Sequence, residues 1–216
     1  MVNAPWLGPL AIIALAACSA DPPLDASHPQ RARLTAIRDA TLAAGLHNGA
    51  LMAGIAMSET HLAHCWSEAT YACMGPASPD CDGPVIAGSA DGPCAAMQGG
   101  LGLFQFDAGT WADTLATYGD TILTVDGSTA TAVRFVIDKV MAEIDGASSA
   151  AAAIAWLDAV PLDAGDPVMA RWAQLMACRY NGCCAATALC QSRADGYRDH
   201  AIGLYDELGP AFWRAP

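Results

Sequence analysis

Asn48-Gly49-Ala50-Leu51-Met52-Ala53-Gly54-Ile55-Ala56-Met57-Ser58-Glu59-Thr60 is an apolar run that closes on a single carboxylate. Leu51, Met52, Ile55 and Ala56 share one face at helical spacing, so the run is expected to be a packed helix with Asn48 as its cap. Glu59 follows that face and is expected at the edge of a core, beside a cleft. Burial there penalises the ionised carboxyl and raises its pKa. A carboxyl so placed can protonate a glycosidic oxygen near neutral pH. The plain alternative is a solvated glutamate at a helix end, the fate of most glutamates.

Outward from this run the periodicity stays helical. Ser27, with Pro29 just inside, opens a helix through Leu34, Ile37 and Leu42 to Gly45. Asp107 is read as the cap of a helix carrying Trp111 and Leu115 and ending near Gly119. Further helices are expected over Ser128 to Asp145, Ser148 to Ala159, Asp166 to Tyr180 and Ser192 to Leu208. No internal repeat appears, and no alternating strand pattern of useful length. Residues 66–100 hold six Gly and four Pro, which reads as a long loop held by cysteines. The fold class is therefore mainly α, a single helical domain over residues 31–216 with a disulfide-rich insertion.

The chain has 216 residues, enough for one domain with a sizeable core. Its hydrophobic fraction of 54% is inflated by alanine. The net charge of −12 argues against nucleic acid as a partner, because phosphate binding needs Lys and Arg. It gives no support to an anionic wall substrate either. Leu7 to Ala17 is apolar, too short to span a bilayer and placed as an export signal is, so residues 1–17 read as a leader. Leu15-Ala16-Ala17-Cys18 resembles a bacterial lipobox, which implies lipid attachment at Cys18, a tether over residues 18–30 and a membrane anchor. Ser19 favours the outer membrane, facing the periplasm; secretion after an ordinary leader is the alternative.

Nine cysteines agree with export. With Cys18 set aside, Cys65, Cys73, Cys81, Cys94, Cys178, Cys183, Cys184 and Cys190 are disulfide candidates. Their two clusters suggest local staples and room for one cross-link; the pairing is open. No Cys-x-x-Cys pair supports zinc.

Ala56-Met57-Ser58-Glu59-Thr60, Gly100-Leu101-Gly102-Leu103-Phe104-Gln105-Phe106 and Tyr180-Asn181-Gly182 resemble, in this order, the three motifs of the soluble lytic transglycosylases and goose-type lysozymes. The resemblance covers about residues 48 to 182. It implies a lysozyme-like α+β superfamily fold and cleavage of the β-1,4 bond between N-acetylmuramic acid and N-acetylglucosamine in peptidoglycan. Glu59 would be the single acid and base, the muramic C6 hydroxyl would attack, and a 1,6-anhydro product would leave. Thr60, Gly102, Leu103, Phe104, Gln105, Tyr180 and Asn181 would line the substrate, with Tyr180 near the acid. Thr60 stands where the family usually has serine, and the third motif reads Arg179-Tyr180-Asn181-Gly182-Cys183 in place of its common frame. Expected partners are peptidoglycan glycan strands, with the protein a monomer and no cofactor or metal. A muramidase using water and a non-catalytic wall-binding lipoprotein are the alternatives.

A hydrolase with two carboxylates would draw the second from Glu68, Asp82, Asp91 or Asp107. Read plainly, these are surface charges, and Asp107 a cap. His61 and His64 with Cys65 have metal-like spacing but read as surface histidines. Asp80-Cys81-Asp82-Gly83 lacks a closing glutamate for calcium. Trp66, Trp111, Trp156, Trp172 and Tyr197 are core at helical spacing or sugar-stacking platforms.

Overall fold

The computed structural model of the chain describes residues 29–88 and 93–214. The leader, Cys18, nearly all of the tether, Ser27 and Asp91 lie outside the described residues. Among those described are seven α-helices and one two-stranded sheet: α1 Pro29–Ala43, α2 Gly49–Thr60, β1 Cys73–Ser78, β2 Gly83–Ala87, α3 Trp111–Tyr118, α4 Val125–Glu143, α5 Ala150–Asp158, α6 Pro167–Arg179 and α7 Ala188–Arg214. The fold is mainly α. None of these helices is long and apolar enough to cross a membrane.

Helix α2 is the axle. Every residue from Gly49 to Ala56 is buried, so the run has no solvent face in its first two turns. Leu34 and Ile37 from α1, Val133 and Val136 from α4, Met169 and Trp172 from α6, and Ala201 from α7 join it in one core. Each fully buried large side chain contributes about 1.5–3 kcal/mol. Small residues bring α7 very close: a Cβ on Gly54 would lie 2.7 Å from the Ala201 Cβ. Helices α2 and α7 run antiparallel. Gly49 faces Trp213, Gly54 faces Ala201, and Ser58 Oγ lies 2.9 Å from His200 Nδ1.

Several helix starts differ from the expectation. Asn48 precedes α2, but its side chain makes no cap bond to that helix; its amide instead donates to the Leu157 and Val160 carbonyls at the end of α5. Thr110, not Asp107, caps α3, in a reciprocal box with Asp113. Asp107 instead accepts the Gly109 N–H, a local turn bond open to any short acid. Helix α4 begins at Val125 because Thr124 caps it by accepting from the Gly127 N–H, which leaves Ser128 inside and buried. Helix α7 begins earlier and runs later than expected, with a break at Gly209, φ +77°, followed by Pro210.

The insertion is not a bare loop. Strands β1 and β2 pair antiparallel, Cys73 opposite Ala87 and Ser78 opposite Gly83, with an irregularity between Met74 and Ala77. Gly75, Pro76, Gly83 and Pro84 erase the alternation that would have revealed the strands. Covalent staples and neighbouring backbone hold them instead. Cys65–Cys81 and Cys73–Cys94 bracket the hairpin. Closing loops of this size stabilises a fold by about 3 kcal/mol each in the chain-entropy account. Ile86 N–H donates to the His64 carbonyl, and Gly102 N–H to the Ile86 carbonyl. The insertion thus underlies the Gly102–Gln105 turn. Cys178–Cys184 and Cys183–Cys190 staple the passage from α6 to α7, so all four bonds are local and no cross-link joins the clusters.

Candidate active site

The last turn of α2 carries Glu59 to the margin of the core, where it is half-buried. One turn past the Gly54–Ala201 contact on the other helix stands Tyr197, only 2% exposed, and its hydroxyl donates to Glu59 Oε1. Burial pushes the Glu59 carboxyl above its usual range, opposed by the Tyr197 hydrogen bond and the positive charge of Arg193. The Tyr197 phenol is itself raised by burial and by the neighbouring carboxyl, so it keeps the proton that it donates to Glu59. The Asn181 side chain reaches the same hydroxyl. Asn181, Tyr197 and Glu59 therefore form one chain of polar contacts between the turn after α6, helix α7 and helix α2.

The Gly102–Gln105 turn is tied to the end of α2 and to Tyr180. Gly102 has φ +64° and lies against His64, where an added Cβ would come within 3.2 Å of the imidazole. Leu101 N–H donates to the Phe106 carbonyl and closes the turn. Thr60 Oγ1 sits 3.1 Å from the Leu103 carbonyl and 3.1 Å from the Ala56 carbonyl, tying the end of α2 to the turn. Tyr180 OH donates to the Phe104 carbonyl at 2.6 Å. Its ring stands edge-on to Phe135 and to Tyr197, with centroids at 5.4 and 6.5 Å. These contacts bring the 56–60, 100–106 and 180–182 segments together.

Their roles differ from the expectation. Leu103 and Phe104 are fully buried and offer no surface to a substrate; what they contribute is a pair of carbonyls that fix Thr60 and Tyr180. Gln105, at φ +50°, folds its amide back onto the Gly102 carbonyl at 2.7 Å, so it buttresses its own turn. Tyr180 is close to the acid, but the hydroxyl on the carboxylate belongs to Tyr197. Tyr197 stood among the core or stacking aromatics in the sequence. Its signal was there: a phenol set among Ala194, Ala201 and Leu204 on the packed stripe of α7 needs a partner for its hydroxyl.

His64 is also not a surface residue. It is fully buried, Nδ1 accepts from the Leu103 N–H at 3.2 Å, and Nε2 lies 3.0 Å from the Leu123 carbonyl. These partners require the neutral Nε2–H tautomer, and burial lowers its pKa accordingly. Glu68 is a structural acceptor for Arg33 and for the His64 and Cys65 N–H groups. Burial pushes its pKa up, but these three bonds outweigh it and hold the carboxyl below its usual range. Asp80 accepts the Val125 N–H, which engages the calcium-like stretch elsewhere. Among the described residues no group of three or more His, Cys, Asp or Glu is placed to hold a metal ion.

A cavity of about 580 Å³ lies beneath the 178–190 passage, lined by Gln174, the Cys178–Cys184 bond, Gln191 and Ala194. Its lining includes neither Glu59 nor Tyr197. The chemistry places the candidate site at the carboxyl, because there burial and a fixed donor act on one titratable group.

Tyr197→Phe is expected to leave the fold intact and to raise the Glu59 pKa further, because the lost hydroxyl is a donor that stabilises the ionised carboxyl. NMR titration of the Glu59 side-chain carboxyl checks it; an unmoved titration would remove Tyr197 from the carboxyl's environment.

The chain matches no protein-family model, no curated protein and no solved structure.

Proposed function

We propose that this protein is a peptidoglycan-cleaving lytic transglycosylase on a lysozyme-like helical fold, with Glu59 as its single acid and base. The observation that carries this reading is the half-buried Glu59 carboxyl, raised by burial and oriented by Tyr197 where three separate segments converge. The neutral carboxyl protonates the oxygen linking N-acetylmuramic acid to N-acetylglucosamine, and the C–O bond breaks at the anomeric carbon. The resulting carboxylate takes the proton of the muramic C6 hydroxyl as that oxygen bonds to the same carbon. The products are a 1,6-anhydro sugar and a new non-reducing end, and the acid returns to its starting state. A single carboxylate suffices for this chemistry. Glu68 and Asp107 are committed to structural bonds, which supports a one-carboxylate route over a paired one.

The four disulfides support an oxidising, exported setting. Within that setting, Cys18 as an outer-membrane lipid anchor facing the periplasm, and glycan strands as the partner, complete the proposal.

Mass spectrometry of fragments released from purified sacculi tests it. Anhydro-muropeptides, one water lighter than hydrolysis products, are the expected result. Reducing-end fragments would establish a muramidase instead. Binding without release would make the chain a wall-binding protein.

A further inference from the structure

Ten Lys and Arg serve a chain of net charge −12, so an uncommitted cation is scarce. Arg33, Arg38, Arg179 and Arg198 lie in ion pairs with acidic neighbours, and Lys139 lies over the Phe135 ring. Arg193 is exposed and, among the described residues, makes no ion pair or hydrogen bond. It stands on α7 one turn before Tyr197. Residues four apart on a helix are neighbours on one face. The guanidinium is therefore carried on the solvent side of the residue that holds the acid, and its charge acts on both Glu59 and Tyr197.

A cation beside a general acid is a liability unless something else uses it, because it favours the ionised carboxyl. Arg193 does not close onto Glu59. It remains exposed on α7, one turn from the tyrosine that holds the Glu59 carboxyl. A planar guanidinium with several fixed donors is matched to a carboxylate, which it can hold by two parallel hydrogen bonds. On a strongly acidic protein, such a residue also offsets the repulsion that an anionic glycan would otherwise meet.

We propose that Arg193 is a specificity-determining residue that receives a carboxylate carried by the sugar at the cleavage point. The inference rests on the glycan-cleaving reading above and sharpens its substrate class. The site prefers N-acetylated β-1,4 glycans with an acidic substituent over neutral ones. Two sources offer the same chemistry, a lactyl carboxylate on the sugar itself and the carboxylates of an attached peptide.

The test compares the wild type with Arg193→Gln and Arg193→Lys on three glycans: peptide-bearing strands, strands stripped of peptide so that the lactyl carboxylate is free, and neutral N-acetylglucosamine oligomers. Rates are taken on the acidic plateau, where Glu59 is protonated in all three proteins. Arg193→Gln is expected to lose about tenfold in kcat/KM on the carboxylated strands, mainly through KM, and far less on the neutral oligomer. Arg193→Lys should recover part of the loss. High salt should weaken the wild type on carboxylated strands more than the variant. A loss confined to stripped strands identifies the lactyl group, and one confined to peptide-bearing strands identifies the peptide. Equal effects on all three glycans, or no effect on any, overturn the proposal while leaving the cleavage reading in place. A wild type that cleaves none of them overturns both.

Discussion

Glu59→Gln should abolish fragment release, by a factor of about 10³ or more, while making the protein harder to unfold at neutral pH. The two effects have opposite signs because they share one cause. Burial raises the Glu59 pKa in the folded protein, so folding favours the protonated form. The stability this group supports is fully present below its ordinary value of 4.5 and is lost as pH rises through the raised folded value. At neutral pH the wild type keeps a carboxylate in a half-desolvated place, and glutamine removes that charge while its carbonyl still accepts from Tyr197. The expected Tm rise is roughly 2–4 °C at neutral pH, shrinking to nothing toward the acid end. Melting both proteins across that interval checks it. A Tm lowered by the substitution at neutral pH would mean that the charged carboxyl stabilises the fold and is no acid in waiting.

Gly54→Ala should damage the protein more than any other single methyl group on α2. Alanine ordinarily gains about 1 kcal/mol over glycine inside a helix. Here the new Cβ would lie 2.7 Å from the Ala201 Cβ, 2.8 Å from its Cα and 2.8 Å from its nitrogen. Two of those three atoms are backbone and have no rotamer by which to escape. Overpacking of this kind costs about 1–3 kcal/mol beyond any propensity gain, a Tm lowered by roughly 2–12 °C in a chain of this size. Helices α2 and α7 must part, and the Glu59–Tyr197 contact lies just beyond the crossing, so cleavage should fall with stability. Gly203→Ala on α7 is the control. Nothing lies within 4 Å of its added Cβ, and it should stabilise modestly. If Gly54→Ala behaves like the control, the close crossing does not set the site.

What could be read in the chain beforehand was whatever repeats with the helix. The buried run from Gly49 to Ala56 announced its own packing, and Asp166 with Pro167 announced the start of α6, where Asp166 accepts the Val168 N–H. Glu59 was legible for the same reason, as the one carboxylate at the end of an apolar run. Contacts made across long separations were not. Tyr197 lies 138 residues from Glu59, and its hydroxyl looks like any core phenol until α7 is laid against α2. His64 reads as polar and exposed, yet it is buried because two main-chain groups, at Leu103 and Leu123, take both of its nitrogens. The hairpin escaped because Gly and Pro hide its strands, and four cysteines with neighbouring backbone supply the order that alternation would have supplied.

The pH dependence of fragment release from sacculi bears most directly on Glu59 as a buried acid. Release per enzyme should be highest on the acid side and decline as pH rises through a value above 4.5, the ordinary glutamate figure, with no such limb left in Glu59→Gln. A flat profile from mildly acidic to neutral pH, or release by Glu59→Gln at the wild-type rate, would contradict it.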